Sequence, residues 1–178
     1  MKTQLLDNNF FQAGPTSVVV MVTAADPDGR ANIITLGMYM PISHTPPLVC
    51  IGIAPRRFSH DLIAGSGEFV VNIPSIDLVH EMHFCGTKSG RDLDKFTATR
   101  LTPIPARKVG PPLINECIGH LECRVVQTHI CGDHTLFIGE VIAASADERV
   151  LTKGKFDPLK AKPIVQKNHI YFTVTDSK

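Results

Sequence analysis

The sequence predicts a mainly β fold, an antiparallel barrel that is closed or partly open and carries a few short helices. Seven or so segments have the β-branched, alternating or continuously apolar character of strands, and only two segments resemble helices. Two helices are too few to connect the strands as βαβ units, whereas closure of an antiparallel sheet removes its exposed edges. The length of 178 residues suits one domain, 1–178, with a substantial core.

The first half of the chain contains four predicted strands and one helix. The turn-forming sequence DPDG at residues 26–29 separates the first two apolar segments, which therefore predict a hairpin. A short helix over residues 59–65 has Ser59 as its expected N-cap and Gly65 at its end. The four predicted strands are residues 17–25, 31–42, 48–53 and 68–73.

The second half begins with a helix over residues 76–84, for which Ser75 is the expected cap. Residues 86–96 are polar and rich in glycine, which predicts a loop, and proline-rich connections follow over residues 103–112. The CGDH sequence at residues 131–134 turns the chain between two strands of a long hairpin. The remaining predicted strands are residues 119–125, 135–144 and 170–174.

Composition excludes several classes of partner. A net charge of +1 gives no electrostatic reason to expect a nucleic acid or an anionic membrane. The longest apolar run is far too short to span a bilayer, and the first residues lack the apolar run of a secretory signal. Five scattered cysteines without a C-x-x-C pair indicate buried free thiols. We therefore expect a cytoplasmic protein that makes no contact with nucleic acid or membrane.

The usual catalytic and metal-binding motifs are absent. The sequence contains no G-x-S-x-G, H-E-x-x-H, P-loop or G-x-G-x-x-G pattern, so any enzymatic chemistry is expected to belong to a cofactor. His80, His83 and Cys85 cluster on the second helix, but no fourth ligand stands at a zinc-site spacing. An exposed helix face with two imidazoles is the favoured interpretation, and no metal site is predicted.

Two segments carry residues that suit an anion. Arg56, Arg57 and Ser59 lie where a strand leads into a helix, and helix N-termini bind phosphates through unpaired N–H groups. The alternative is an ordinary capped helix beside two solvated arginines. The polar loop adds Ser89 and Lys95, whose alternative is a plain surface loop.

Taken together, these motifs resemble the flavin reductase-like family, in particular its flavoredoxin and archaeal ferric-reductase branch. The similarity covers about residues 14–145 and the final strand. It implies an FMN-binding split β-barrel, antiparallel and Greek-key-like, with a few short helices. The matching stretches run in the family's order: D-x-D-G-R-x-N-x-x-T (26–35), PPL-V (46–49), RFSHDLI (57–63), EFVVNIP (68–74), FCG-x-x-SGR-x-x-DKF (84–96), LEC (121–123) and GDH-x-LFIGEV (132–141).

The resemblance also implies which residues contact FMN. Ser59 matches the hydroxyl residue at the phosphate, Lys95 a cation for phosphate or flavin, and Tyr171 an aromatic that covers the ring. Flavoredoxin-like members can carry a large aromatic residue near position 38, where this sequence has Met38 and Tyr39. His134, which alone would be a solvated turn residue, matches a histidine near the cofactor and is the one candidate catalytic residue. The implied positions are Asn32, Thr35, Met38, Arg57, Ser59, His60, Ser89, Lys95, His134 and Tyr171.

The implied function is that of an FMN-dependent oxidoreductase. NADH or NADPH is the expected donor, and free flavin, ferric iron or a partner is the expected acceptor. The alternative is a flavoredoxin-type carrier that exchanges electrons with redox proteins and reacts little with nicotinamides. Family members pair with two-fold symmetry, so a homodimer is expected.

Overall fold

The computed structural model describes residues 10–176. Five α-helices run over α1 (Phe10–Ala13), α2 (Phe58–Ser66), α3 (Val79–Thr87), α4 (Lys95–Thr99) and α5 (Pro158–Ala161), and two short 3-10 helices cover Ile76–Leu78 and Glu148–Val150. The strands are β1 (Ser17–Val18), β2 (Val20–Ala25), β3 (Ala31–Leu36), β4 (Tyr39–His44), β5 (Pro47–Ile53), β6 (Glu68–Ile73), β7 (Pro103–Ile104), β8 (Leu113–Ile114), β9 (Gly119–Cys131), β10 (His134–Ala146), β11 (Leu151–Thr152), β12 (Lys155–Phe156), β13 (Ile164–Lys167) and β14 (Ile170–Thr173).

Seven strands form one antiparallel sheet in the order β3-β2-β6-β9-β10-β5-β4. The strands at the two ends of this order, β3 and β4, are separated in the chain only by residues 37–38. The sheet must therefore curl until its two ends lie side by side, which gives a barrel that is open along one seam. A smaller sheet of β1, β13 and β14 lies beside it.

The barrel interior is built from alternating side chains, as the pleat of a strand requires. On β2, Val20, Val22 and Ala24 point into the interior cluster, where they meet Phe69 of β6 and Phe137 of β10. Burial of each large apolar side chain of this kind stabilises the fold by about 1.5–3 kcal/mol.

The other face of β2 and β3 is covered by the helical part of the chain. Met21 and Ile33 pack with Met82 and Cys85 of α3 and with Phe96 of α4. Strand β2 is buried on both faces for this reason. Predicted site residues are carried by α2 and by the loop before α4. Both segments therefore lie beside the same edge of the sheet.

The structure corrects several boundaries. The segment over residues 31–42 is two strands, because the chain breaks at Gly37 and the second of them, β4, pairs with β5 at the other end of the sheet from β3. Ser59 is not the cap of α2: the helix begins at Phe58, and Ser59 is a buried residue of its first turn. The polar loop is shorter than expected, since α3 extends to Thr87 and α4 begins at Lys95. Strand β13 was not anticipated.

Among residues 10–176, none of the helices has the length and apolar character needed to cross a membrane. The amino-terminal residues that were interpreted for a secretory signal lie mostly outside this described part of the chain.

Candidate functional site

A cavity of about 150 Å³ lies between the start of α2 and the loop that joins α3 to α4. It collects five of the ten predicted cofactor positions from four separate segments. The fold brings these positions together, because β3 places Asn32 between the start of α2 and the loop. The predicted residues that line the cavity are Asn32, Arg57, Ser59, Ser89 and Lys95.

Lys95 is a buried cation without an acidic partner. Its side chain is only 4% exposed, and its Nζ donates hydrogen bonds to the carbonyl oxygens of Ile33 and Cys85, both at 2.7 Å. No carboxylate among residues 10–176 lies within ion-pair distance of it. Burial lowers the pKa of Lys95 to about 8, and the Arg57 guanidinium contributes to the lowering. A charge buried at this cost favours an anionic ligand.

Asn32 presents the opposite chemistry in the same cavity. Its Nδ2 donates to Ser59 Oγ at 2.8 Å, which fixes the amide and accounts for the buried hydroxyl. Its Oδ1 is buried and has no hydrogen-bond partner in the part of the chain that the structure describes. A buried acceptor left unpaired costs about 1–3 kcal/mol, so this oxygen favours a ligand that donates a hydrogen bond.

Gly90 closes the cavity over Asn32 in a way that only glycine permits. A Cβ at this position would lie 2.0 Å from Asn32 Oδ1 and 3.1 Å from the Phe58 ring. The backbone of the loop can therefore approach the buried amide closely. The Ser89-Gly90 pair in the sequence gave no indication of this contact.

Arginines fix the loop to the helix from outside. Arg30 donates to the Gly90 carbonyl at 2.9 Å, and Arg91 donates to the Arg56 carbonyl at 3.0 Å and forms an ion pair with Asp61 at 2.6 Å. Both guanidinium groups lie over the Phe58 ring, at 5.1 Å for Arg30 and 5.3 Å for Arg91. Sequence reasoning missed Arg30 and Arg91, because nothing in their spacing indicates an aromatic ring between two segments.

Two further predicted positions line a neighbouring cavity of about 180 Å³ that shares Gly86 with the first. Thr35 donates a short hydrogen bond to the Met82 carbonyl. Tyr171 lies on β14 and shares a hydrogen bond of 3.2 Å with His83 Nδ1, their rings meeting edge to face. The structure thus brings the carboxy-terminal aromatic into a cavity that adjoins the first one at Gly86.

The other three predicted residues do not line either cavity. His60 is hydrogen-bonded to Thr135 at 3.0 Å and packs against Phe137, so it contacts β10. His134, at the start of β10, is held by Asp133 Oδ1 at 2.7 Å. Met38 is 42% exposed at the seam, where it packs over Gly52. Their proposed contacts with the cofactor remain predictions.

The helix face that carries His80, His83 and Cys85 serves ordinary packing. Cys85 is buried, which raises the pKa of its thiol to about 11, and its carbonyl accepts from Lys95. His83 is occupied by Tyr171. Within the described range 10–176, no three histidine, cysteine or acidic residues are grouped as metal ligands.

Comparison with known proteins agrees with this architecture. A relative from Archaeoglobus fulgidus is 41% identical over 113 residues, which are 64% of this chain and 64% of that protein. The NADH-dependent FAD reductase of Streptomyces globisporus is 30% identical over 135 residues, which are 74% of this chain and 70% of that protein. The crystal structure of flavoredoxin from Methanosarcina acetivorans matches with a TM-score of 0.89 at 30% identity, covering 100% of this chain and 94% of that one.

The structural match confirms the mainly β, split-barrel fold that the sequence predicted. The family model described as "Flavin reductase like domain" matches residues 14–167, which include every strand from β1 to β13. The resemblance drawn from the motifs is therefore confirmed as well, and the chain belongs to the flavin reductase-like domain family.

Proposed function

We propose that this protein is an FMN-dependent oxidoreductase. The cavity between the start of α2 and the loop before α4 holds the ribityl phosphate of the cofactor. The observation that carries the proposal is the pairing of two unmet requirements in one cavity of about 150 Å³. Lys95 is a buried cation without a counter-anion, and Asn32 Oδ1 is a buried acceptor without a donor.

A ribityl phosphate fits both requirements. Its phosphate oxygens accept hydrogen bonds, so they suit the third N–H of Lys95, the hydroxyls of Ser59 and Ser89, and the N-terminus of α2 with Arg57. Its chain hydroxyls donate hydrogen bonds, so they suit Asn32 Oδ1. An inorganic anion meets only the first requirement. A neutral polyol meets only the second.

When bound, FMN supplies the electron transfer, accepting a hydride and passing electrons onward. The chain's own residues bind and orient it. Lys95 and Arg57 neutralise the phosphate charge, the Asn32–Ser59 hydrogen bond holds the acceptor in place, and Thr35 and Tyr171 border the adjoining cavity. We assign His134 the role of holding or moving a proton near the ring, since an imidazole has both a donor and an acceptor nitrogen.

NADH or NADPH is the proposed electron donor, and free flavin, ferric iron or a redox partner is the proposed acceptor. The name of the Streptomyces relative, an NADH-dependent FAD reductase, supports this assignment. The flavoredoxin-type carrier is the second candidate, supported by the match to Methanosarcina flavoredoxin along the whole chain. Rapid anaerobic reduction by a nicotinamide supports the reductase. Reduction only by a reduced redox protein supports the carrier.

Titration with FMN, riboflavin and inorganic phosphate tests the proposed cofactor. We expect a flavin absorbance spectrum after incubation with FMN, quenching of FMN fluorescence, and weaker binding of riboflavin, which lacks the phosphate. The absence of any quenching by FMN would overturn the proposed function. Equal affinity for FMN and riboflavin would show that the cavity does not bind the phosphate.

The proposal extends to assembly and location. A homodimer is supported by three exposed apolar side chains at the seam strand: Met38, Met40 and Ile42. A cytoplasmic location is supported by five cysteines that are all free thiols, four of them buried.

A further inference from the structure

The phosphate cavity has a larger neighbour on the far side of Gly90. This groove, of about 710 Å³, also includes Gly90 in its lining, so the two spaces meet at that residue. Its walls are mostly apolar, with three prolines, and the other apolar residues are Ala31, Leu93, Phe96 and Ile104. Its size and apolar walls suit a planar, partly apolar group such as a nucleoside.

Arg30 stands at the junction of the two spaces. Its guanidinium donates to the Gly90 carbonyl at 2.9 Å and lies over the Phe58 ring, so it joins the loop to α2. Its backbone is fixed at the hairpin turn, since Arg30 N–H donates to Asp26 Oδ1 at 2.8 Å and its carbonyl accepts from Asp26 N–H. The side chain therefore extends from a fixed base across the boundary.

The loop on the other side of the junction is held as well. Arg91, the residue after Gly90, donates to the Arg56 carbonyl and pairs with Asp61. That ion pair is about half exposed, and exposed pairs contribute little. Gly90 itself lies against Asn32 and Phe58. The hydrogen bond of Arg30 to Gly90 connects a residue that lines the groove to the residue that lines both spaces.

We propose that Arg30 is a specificity-determining residue that restricts the site to flavin monophosphates by closing the phosphate cavity against this groove. The inference rests on the proposed binding of FMN. In FMN the ligand ends at a terminal phosphate, which fits a cavity closed at its end. In FAD a second phosphate and an adenosine continue beyond the first, and the neighbouring space of suitable size lies behind Arg30.

The test compares the dissociation constants of FMN and FAD in the wild type and in Arg30→Ala. We expect the wild type to bind FMN at least about tenfold more tightly than FAD, and Arg30→Ala to reduce that ratio about tenfold, chiefly by improving FAD. One hydrogen bond from a charged donor changes a dissociation constant by about tenfold. Arg30→Lys retains a charge and a donor for the Gly90 carbonyl, so it should keep most of the preference.

Arg149→Ala is the matched control, because Arg149 is an exposed arginine whose side-chain hydrogen bonds within residues 10–176 all go to Asp147. It should leave both affinities unchanged. An unchanged ratio in Arg30→Ala overturns the inference, as does an equal loss of both ligands, which would indicate a general charge effect. A wild type that binds FMN and FAD equally also overturns it, while the proposed function stands. Failure to bind FMN at all contradicts the proposed function itself.

Discussion

At the scale of single residues, Lys95 has two functions that a mutation can separate. Its ammonium group holds β3 and α3 together through two carbonyls and, in our proposal, binds the phosphate with its remaining N–H. Lys95→Met keeps most of the buried stem but removes the charge. We expect FMN to lose about tenfold or more in affinity, the value of a charge-assisted contact, while riboflavin loses much less. Fluorescence titration measures both, and riboflavin reports whether the site remains intact. Equal losses would mean that Lys95 only supports the fold.

The lowered pKa of Lys95 predicts opposite pH trends for ligand-free stability and for FMN affinity. Its ordinary pKa of 10.5 applies to the unfolded chain, and burial lowers the pKa to about 8 in the folded protein. Between these values the unfolded state holds a proton that the folded state lacks, so this group makes folding more favourable as pH rises. FMN affinity should instead fall above pH 8, by up to about tenfold per pH unit, because the ammonium is lost.

Calorimetric titration with FMN from pH 7 to 9.5 measures the second trend. Lys95→Met should remove it, and riboflavin should show none in either protein. A constant FMN affinity across this range in the wild type would exclude Lys95 as the titrating contact.

His134 is the predicted residue for which the structure offers the clearest alternative. It lies outside both cavities and pairs with Asp133, whose carboxyl pKa is lowered by that hydrogen bond. If it holds a proton near the flavin, His134→Ala shifts the reduction midpoint or slows reduction by NADH or NADPH, and leaves FMN affinity within about threefold. Asp133→Asn is the companion variant. It removes the carboxylate charge beside the His134 imidazole but retains the ring. Superimposable potential-against-pH curves for wild type and His134→Ala would remove His134 from the site.

At the scale of elements, buried polar anchors hold the proline-rich segment of residues 103–114 against the barrel. Asn72 on β6 accepts from Ile114 N–H at 2.9 Å and donates to the Met21 carbonyl at 3.1 Å. Thr23 donates to the Pro112 carbonyl at 2.6 Å. Asn72→Ala removes buried hydrogen bonds to the Ile114 N–H and to the Met21 carbonyl, so we expect a loss of about 2–3 kcal/mol in unfolding free energy. Urea denaturation measures it, with Gln127→Ala, an exposed position on β9, as the control. A change below about 0.5 kcal/mol would show that water replaces the amide.

The elements that the sequence predicted well are those with a local cause. Alternation and turn chemistry located β2, β5, β6, α2 and the long β9–β10 hairpin. The break at Gly37 was missed because residues 31–42 are mostly apolar, and only the pairing of β4 with β5 separates β4 from β3. Ser59 was predicted to cap α2 because serine is a common cap residue. In the structure its hydroxyl instead accepts a hydrogen bond from Asn32 on the distant strand β3. Long-range contacts of this kind have no signature in a single sequence.

At the scale of the whole molecule, the same distinction applies to the site. The family motifs pointed to Asn32, Ser59 and Lys95, and the structure brings these three residues into one cavity, while their contacts with a cofactor stay predictions. The roles of Arg30 and Gly90 depend instead on contacts between segments about 60 residues apart. The cavity boundary, and with it the ligand preference that we infer, could be found only in three dimensions.

The seam strand determines the last prediction, which concerns assembly. Strand β4 ends the sheet order, and Met38, Met40 and Ile42 are 42%, 56% and 39% exposed. An edge strand with exposed apolar side chains is normally covered in a stable protein. We expect a homodimer of twice 19.4 kDa in light scattering, and Met40→Lys should produce the monomer by placing a charge in the interface. Ile170→Lys, at an exposed apolar position on β14, should leave the dimer intact. A wild type that stays monomeric at high concentration, or a dimer that survives Met40→Lys, would contradict an interface at β4.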